Sequence, residues 1–145
     1  MSESYEMLRL DAQLCFPLYA ASRAVIRQYH PYLSALDLTY TQYIAMMALW
    51  ERSPQSVKEL GDRLRLDTGT LTPLLKAMEK KGLVRRCRSE KDERSVLISL
   101  SAEGKALREK AGRVPEQVGS CIPLAPERAE LLYTLLYELL DNLEE

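Results

Sequence analysis

The side chains with the most distinctive chemistry are three cysteines, Cys15, Cys87 and Cys121, and one histidine, His30. A thiolate is a nucleophile that peroxides oxidise. The cysteines are odd in number, widely spaced and without a C-x-x-C pair, unlike a secreted disulfide framework. One histidine and scattered cysteines offer neither a zinc site nor a histidine-activated nucleophile. We therefore expect no metal, no cofactor and no enzyme activity, in a protein of the reducing cytoplasm.

Cys15 lies in the segment "LCFPLYAASR", within an apolar helical pattern. Apolar residues recur at helical spacing from Leu8 to Leu36, which predicts a long helix that begins or is interrupted near Pro17. If the regular helix begins just before Pro17, free N–H groups of its first turn lie beside Cys15 and favour a thiolate. The alternative is that Cys15 packs as a small buried apolar residue.

Periodicity and capping signals predict the elements that follow. The apolar run "YIAMMALW" predicts a buried helix over Thr41–Arg52. Ser56 and Glu59 form a capping box that begins a short third helix. Asp67 is the predicted N-cap of a fourth helix, and Gly82 is its predicted stop. Two short helices joined by a tight turn are therefore expected in the centre of the chain.

After Gly82 the spacing of apolar residues changes from the helical period to alternation. Alternation over residues 96–100 predicts a strand that pairs with "LVRRCRS", and the charged tip "EKDER" projects into solvent or onto a ligand. Cys87, in the first of these strands, is expected to be structural. Ser101 caps a fifth helix that is predicted to run to about Val118, and Pro126 begins a last helix. Because apolar residues surround much of that last helix, we expect it and the first helix to form a homodimer interface.

Charge is distributed unevenly. The segment from Arg63 to Arg94 carries ten basic and five acidic residues, whereas the whole chain has a net charge of −1. A basic centre between acidic ends favours a local anion-binding face, and a polynucleotide is the obvious ligand. The alternative is an ordinary solvated surface.

The central helices carry the pattern of a helix-turn-helix, and the hairpin after them is the expected wing. Small donors and a cation at the start of the second helix suit phosphates and base edges in a major groove. Because Pro73 is tolerated best in a first turn, that helix has an alternative start nearer Thr70. The residues predicted to contact DNA in this region are Thr68, Gly69, Thr70, Thr72, Lys76 and Arg86.

The wing tip supplies two further predicted DNA-binding residues, Asp92 and Arg94. A guanidinium at the tip suits a narrow minor groove. A charge-assisted hydrogen bond from Arg94 to the Asp92 carboxylate is expected to hold the arginine extended. The alternative is that both are solvated turn charges.

From end to end the chain resembles the MarR family of winged-helix repressors, including the D-x-R of the wing. More narrowly, "LCFPLYAASR", "LDLTYTQYIAMMALWE", "LDTGTLTPLLKAMEKKGLV" and "DERSVLISL" resemble its organic-hydroperoxide-sensing branch, OhrR. The resemblance implies a mainly α fold with a small β-hairpin wing, in an intertwined homodimer. It implies one domain over residues 1–145, with dimerisation helices at about 5–36 and 101–145 and a winged helix-turn-helix at about 41–100.

The resemblance also implies a role for Cys15 as the redox-sensing thiol. Hydroxyls of Tyr19, Tyr29 and Tyr40 can donate to a thiolate, and their rings form an apolar wall suited to an organic hydroperoxide. In the resembling branch, the counterparts of Tyr29 and Tyr40 reach the cysteine across the dimer interface. Cys121 approximates the position of a second cysteine that resolves the oxidised thiol as an intersubunit disulfide. The alternative resolving partner is a small-molecule thiol.

The predicted function is a repressor that releases double-stranded operator DNA when an organic hydroperoxide oxidises Cys15. The main alternative is a MarR-type repressor released by a reversibly bound aromatic or phenolic ligand. A thiol peroxidase is disfavoured because no Arg or Thr lies within a few residues of Cys15. A helical interaction protein without DNA binding is disfavoured by the intact segment from Thr68 to Arg94. No signal peptide or membrane span is recognised, so we expect no membrane partner.

Overall fold

The computed structural model describes residues 3–119 and 122–144, so Cys121 lies outside the described residues. A short helix and a 3-10 turn precede the long helix α2. The helices are α1 (Glu3–Glu6), η1 (Leu10–Ala12), α2 (Cys15–Ser34), α3 (Tyr40–Glu51), α4 (Val57–Leu64), α5 (Thr68–Lys80), α6 (Ala102–Ala111), α7 (Val114–Gln117) and α8 (Pro126–Leu143). No helix within the described ranges is long and apolar enough to cross a membrane.

Within the described residues, three strands form one antiparallel sheet in the order β1-β3-β2. The strands are β1 (Gln55–Ser56), β2 (Val84–Arg88) and β3 (Val96–Leu100). Val84 pairs with Leu100 and Arg88 with Val96, so the predicted hairpin is confirmed. The two-residue strand β1, which precedes α4, was not predicted from the sequence. It pairs Gln55 with Ile98 and thereby fixes the base of the wing beside α4.

The caps that begin the central helices are those predicted from the sequence. The Ser56 side chain accepts from the Glu59 N–H and the Glu59 carboxylate accepts in return, a complete capping box. Asp67 accepts from the Thr70 N–H at 2.7 Å and begins α5 at Thr68. The alternative start nearer Thr70 is therefore wrong. Pro73 lies one turn inside the helix, where its nitrogen has no hydrogen to donate to the Gly69 carbonyl.

Two apolar clusters form the core. The larger one packs α3, α4 and α5 onto the sheet, and it includes the fully buried residues Met46, Leu60, Leu71, Met78 and Ile98. The smaller one joins α2 and α3 to α7 through Leu33, Leu38, Tyr43, Ala111, Val114 and Val118. The winged helix-turn-helix thus has its own core, and the second cluster attaches the long helix α2 to it.

The observed helix boundaries confirm one prediction and contradict another. The long helix α2 begins at Cys15, two residues before Pro17, after a 3-10 turn over Leu10–Ala12, so the predicted start or interruption near Pro17 is confirmed. The fifth helix does not run unbroken to Val118, because α6 ends at Ala111 and α7 begins at Val114. Pro115 explains this break, since its nitrogen has no hydrogen to donate to the carbonyl one turn earlier.

The terminal segments leave a large apolar surface uncovered. No residue of α8 within 126–143 is buried, and Leu131 and Tyr133 are 58% and 64% exposed. Before α2, Leu14 is 85% exposed, and Leu8 and Leu10 are also exposed. A patch of this extent on a lone chain requires a covering partner.

Candidate functional site

The recognition helix α5 separates an apolar face from a polar one. Leu71, Leu75 and Met78 are buried, at helical spacing, against α3 and α4. The predicted DNA-binding residues lie outside this buried stripe, with Thr72 half-buried and the others exposed: Thr68, Gly69, Thr70, Thr72 and Lys76. The packing of α5 therefore leaves these residues accessible to a ligand.

The wing lies beside this polar face. One groove of about 610 Å³, here named the wing groove, is lined by Thr68 and Thr72 from α5 and by Arg86 and Arg94 from the wing. The sequence places these pairs at least 14 residues apart, and the fold brings them to one surface. Arg86 is half-buried, and its Nε has no acceptor among the described residues. The groove thus holds guanidinium groups beside small hydroxyl donors.

The contact between Asp92 and Arg94 differs from the one predicted. The Asp92 carboxylate accepts from the backbone N–H of Arg94 at 3.0 Å and from the hydroxyl of Ser95 at 3.4 Å. A carboxylate that accepts from the backbone two residues on forms an Asx turn, which shapes the loop itself. Asp92 therefore orders the wing-tip backbone rather than extending the guanidinium. Arg94 remains exposed at the tip.

Cys15 is the first residue of α2, and its side chain is exposed. Leu14 precedes it without a side-chain cap for the first turn within the described residues. The first-turn N–H groups of α2 are therefore not occupied by a capping side chain near the thiol. Tyr19 lies one turn further on, where its hydroxyl accepts from Arg23 at 2.8 Å. The Arg23 guanidinium also lies 5.4 Å from the Tyr19 ring centroid.

Tyr29 and Tyr40 are brought together by the packing of α2 on α3. Their ring centroids are 5.1 Å apart in an edge-to-face arrangement, a favourable geometry for aromatic pairs. Tyr43 completes the cluster at 5.9 Å from Tyr29, and it was missed in the sequence. The signal was available, because Tyr43 follows Tyr40 by three residues on one helix face. Burial raises the pKa of the Tyr43 phenol, and neighbouring Tyr40 raises it further.

A second cavity of about 320 Å³ opens beside this cluster, and we name it the Tyr40 pocket. Its walls combine apolar side chains with polar and basic ones, including Ile26, Leu33, Arg27, His30 and Lys81. This mixture of apolar walls and a few cations is what the reversible-ligand alternative requires.

The remaining two cysteines are Cys87 and Cys121. Cys87 is exposed on β2, paired with Leu97, so it does not pack in the core. The predicted resolving residue Cys121 lies outside the described residues. No cluster of metal-binding side chains occurs among the residues the structure describes.

The helix pair α4 and α5, the three-stranded wing and the polar groove between them define a winged helix-turn-helix DNA-binding protein. A family model described as Transcriptional regulator SarA/Rot matches residues 27–111. Over 145 residues the chain is 46% identical to the organic hydroperoxide resistance transcriptional regulator of Bacillus subtilis, a match that covers 100% of this chain and 99% of the relative.

Solved structures of DNA-bound relatives share this fold. Reduced AbfR bound to DNA is 35% identical, with a TM-score of 0.78 over 98% of this chain and 99% of that one. Overoxidized AbfR bound to DNA is 35% identical, with a TM-score of 0.77 over 97% and 98%. AbfR is a protein of Staphylococcus epidermidis. The chain belongs to the MarR family of winged-helix transcriptional regulators, in the branch of the organic hydroperoxide resistance regulators.

Proposed function

We propose that this protein is a homodimeric repressor that binds double-stranded operator DNA and releases it when an organic hydroperoxide oxidises Cys15. The observation that carries the proposal is the exposed Cys15 thiol at the first turn of α2. That helix carries Tyr29 and packs on the winged domain, so chemistry at Cys15 is connected to the DNA-binding surface. The 46% identity to the organic hydroperoxide resistance regulator supports the choice of oxidant.

The DNA contacts are assigned by charge and geometry. The polar face of α5 enters the major groove and donates from Thr68, Thr70, Thr72 and Lys76, while the backbone at Gly69 approaches most closely. Arg86, which lines the wing groove, donates from its guanidinium to a phosphate oxygen there. Arg94 reads the minor groove from a wing tip that Asp92 orders. AbfR, the relative solved with DNA, supports duplex DNA as the ligand.

The uncovered apolar surface supports a homodimer. Exposed leucines and tyrosines of α8 and of the segment before α2 require a partner, and a second copy of the chain provides a self-complementary one. In this dimer Cys15 of one subunit faces Tyr29 and Tyr40 of the other, whose hydroxyls donate to the thiolate. Tyr19 lies one turn from Cys15 and supports the same anion from within the subunit.

The redox step is a nucleophilic displacement. The Cys15 thiolate attacks the terminal oxygen of the hydroperoxide, the O–O bond breaks, and the organic alkoxide leaves and takes up a proton as the alcohol. Cys15 becomes a sulfenic acid. The Cys121 thiol of the partner, or a small-molecule thiol, then attacks the sulfenic sulfur and water leaves as the disulfide forms. Either product is larger than the thiolate and no longer accepts the same tyrosine hydrogen bonds, so the packing around it must change.

The test is operator occupancy measured by fluorescence anisotropy on duplex DNA from upstream of the protein's own gene, before and after cumene hydroperoxide. Wild-type protein and the matched control Cys87→Ser are expected to release the DNA and to rebind it after reductant. Cys15→Ser is expected to bind and to remain bound. Release of Cys15→Ser at the wild-type peroxide concentration contradicts the proposal.

Two outcomes separate the finer assignments. A reducible dimer band on non-reducing gels, abolished in Cys121→Ser, assigns the resolving step to Cys121. Its persistence there, together with its loss in Cys87→Ser, transfers that step to Cys87.

The second candidate function is release by a reversibly bound aromatic or phenolic ligand, and the Tyr40 pocket favours it. Release by salicylate in the absence of oxidant, equally in wild type and Cys15→Ser, would support that function.

A further inference from the structure

Lys81 caps the end of the recognition helix α5 and holds a distant part of the chain. Its backbone N–H donates to the Ala77 carbonyl, which attaches it firmly to the helix. Its ammonium donates to the Asp37 carbonyl at 2.6 Å and to Gln42 Oε1 at 2.8 Å. The Asp37 carboxylate lies 3.7 Å away. Lys81 therefore bonds to the corner between α2 and α3 rather than extending into solvent.

This corner, residues 37–42, is itself rigid. Thr39 and Gln42 form a complete capping box, in which Gln42 Oε1 accepts from the Thr39 N–H at 3.1 Å. The same oxygen accepts from Lys81, so both of its acceptor positions are used. Gln42 is only 5% exposed, which makes these bonds costly to lose. Tyr40 lies inside this capping box, as the first residue of α3.

Core packing alone attaches α5 to α3 at a different place. The residues of α3 in the larger cluster, from Ala45 to Leu49, lie beyond the corner. Apolar contacts are non-directional and permit sliding, whereas hydrogen bonds from one ammonium define a single position. Without the Lys81 ammonium, the hydrogen bonds to Asp37 and Gln42 that join the end of α5 to the corner are lost. With Lys81, the end of α5 must follow the corner.

We propose that Lys81 is a positioning residue that transmits displacement of Tyr40 to the recognition helix. The inference rests on the proposed function, in which Tyr40 of one subunit faces Cys15 of the other. Oxidation removes the thiolate to which the Tyr40 hydroxyl donates. The corner then shifts as a unit, because Tyr40 and Gln42 belong to the same capping box. The ammonium of Lys81 carries that shift to the end of α5, and the polar face leaves its position in the major groove. Lys81 does so without contacting the thiol or the DNA.

The experiment compares Lys81→Met, which keeps the aliphatic stem and removes the donors, with Lys80→Met, which makes the same charge change at the neighbouring exposed position. Two quantities are measured in parallel. Anisotropy gives the factor by which cumene hydroperoxide weakens binding to the upstream duplex. Intact-protein mass spectrometry after thiol alkylation gives the rate at which Cys15 is oxidised.

We expect reduced Lys81→Met to bind DNA within about threefold of wild type and its Cys15 to be oxidised at the wild-type rate. The factor by which cumene hydroperoxide weakens DNA binding should, however, be at least about tenfold smaller than in wild type. Lys80→Met keeps the full factor, and Lys81→Arg, which retains donors, keeps most of it. A merely structural role would lower reduced-state affinity or thermal stability and leave the factor unchanged.

The outcomes are distinguishable. If wild type is released by oxidation and Lys81→Met is released by the same factor, the transmission role is overturned and the proposed function stands. If oxidised wild type stays on the DNA, the proposed function fails and the transmission role fails with it. If Lys81→Met does not fold, Lys81→Leu, whose side chain also has no donor, is measured instead, and the same criterion decides.

Discussion

Gly104 is the position where a single methyl group should separate the wing from the helix behind it. A Cβ built at Gly104 in α6 would lie 2.1 Å from the Leu83 carbonyl oxygen and 3.2 Å from its carbon. Leu83 directly follows the turn that ends the recognition helix, and the same carbonyl accepts from Ser101 at 3.0 Å. The Gly104 carbonyl in turn accepts from the indole of Trp50 at 2.8 Å. Three elements therefore meet at this glycine.

The expected cost of Gly104→Ala comes from two opposing effects. Alanine gains at most about 1 kcal/mol over glycine at this position, which lies in the first turn of α6. The clash is with backbone rather than with a flexible side chain, so α6 must move away by roughly 1 Å, and overpacking of this kind costs about 3 kcal/mol. The net loss of unfolding free energy is about 2 kcal/mol, which lowers the Tm by roughly 4–8 °C for a chain of this size.

Urea unfolding followed by circular dichroism measures this loss, at one fixed protomer concentration because association changes apparent stability. Trp50 is the single tryptophan of the chain, so its emission reports directly on the bond to Gly104. Gly112→Ala is the matched control, since a Cβ there would meet its nearest atom at 3.3 Å with an ordinary helical φ. A Gly104→Ala protein with wild-type stability and unshifted Trp50 emission would refute the reasoning.

Three further predictions concern the recognition helix and the wing. Gly69→Ala should leave the free protein as stable or up to about 1 kcal/mol more stable, because its Cβ would meet only Asp67 Oδ1 at 3.4 Å; an undiminished DNA affinity in the same variant would exclude close approach of the DNA there. Arg94→Ala should weaken binding of the upstream duplex by about 1–3 kcal/mol in a folded protein, whereas unchanged anisotropy titrations would remove Arg94 from the interface. Hydrogen bonds from Thr70 lower the pKa of Asp67, so its stabilisation is complete above the ordinary value of 3.8 and is lost as the pH falls through the lowered value. The unfolding free energy of Asp67→Asn, measured by urea titration, should therefore fall less than that of wild type when the pH is lowered from 5 to about 2. An equal fall in the two proteins would contradict this account.

Much of the fold was predictable because its signals act over a few residues. Ser56 and Asp67 are caps whose partners lie three residues away, and Gly82, with φ +81°, ends α5 where the pattern predicted. The alternation after it predicted the hairpin. The break before α7 has a local cause too, since Pro115 removes a backbone N–H that an unbroken helix requires.

In the candidate site, too, features that depend on neighbouring residues were predictable, whereas contacts between distant residues were not. The sequence by itself determined which residues lie on the outer face of α5 and that Cys15 begins a helix, because helical periodicity and proline position are properties of neighbouring residues. Only the tertiary structure decided that Asp92 bonds to backbone and that β1 joins the wing. It alone decided that Lys81 reaches Asp37 and Gln42, which lie 44 and 39 residues away. Such contacts depend on how whole elements pack, and no local pattern specifies which polar groups that packing leaves within 3 Å of each other.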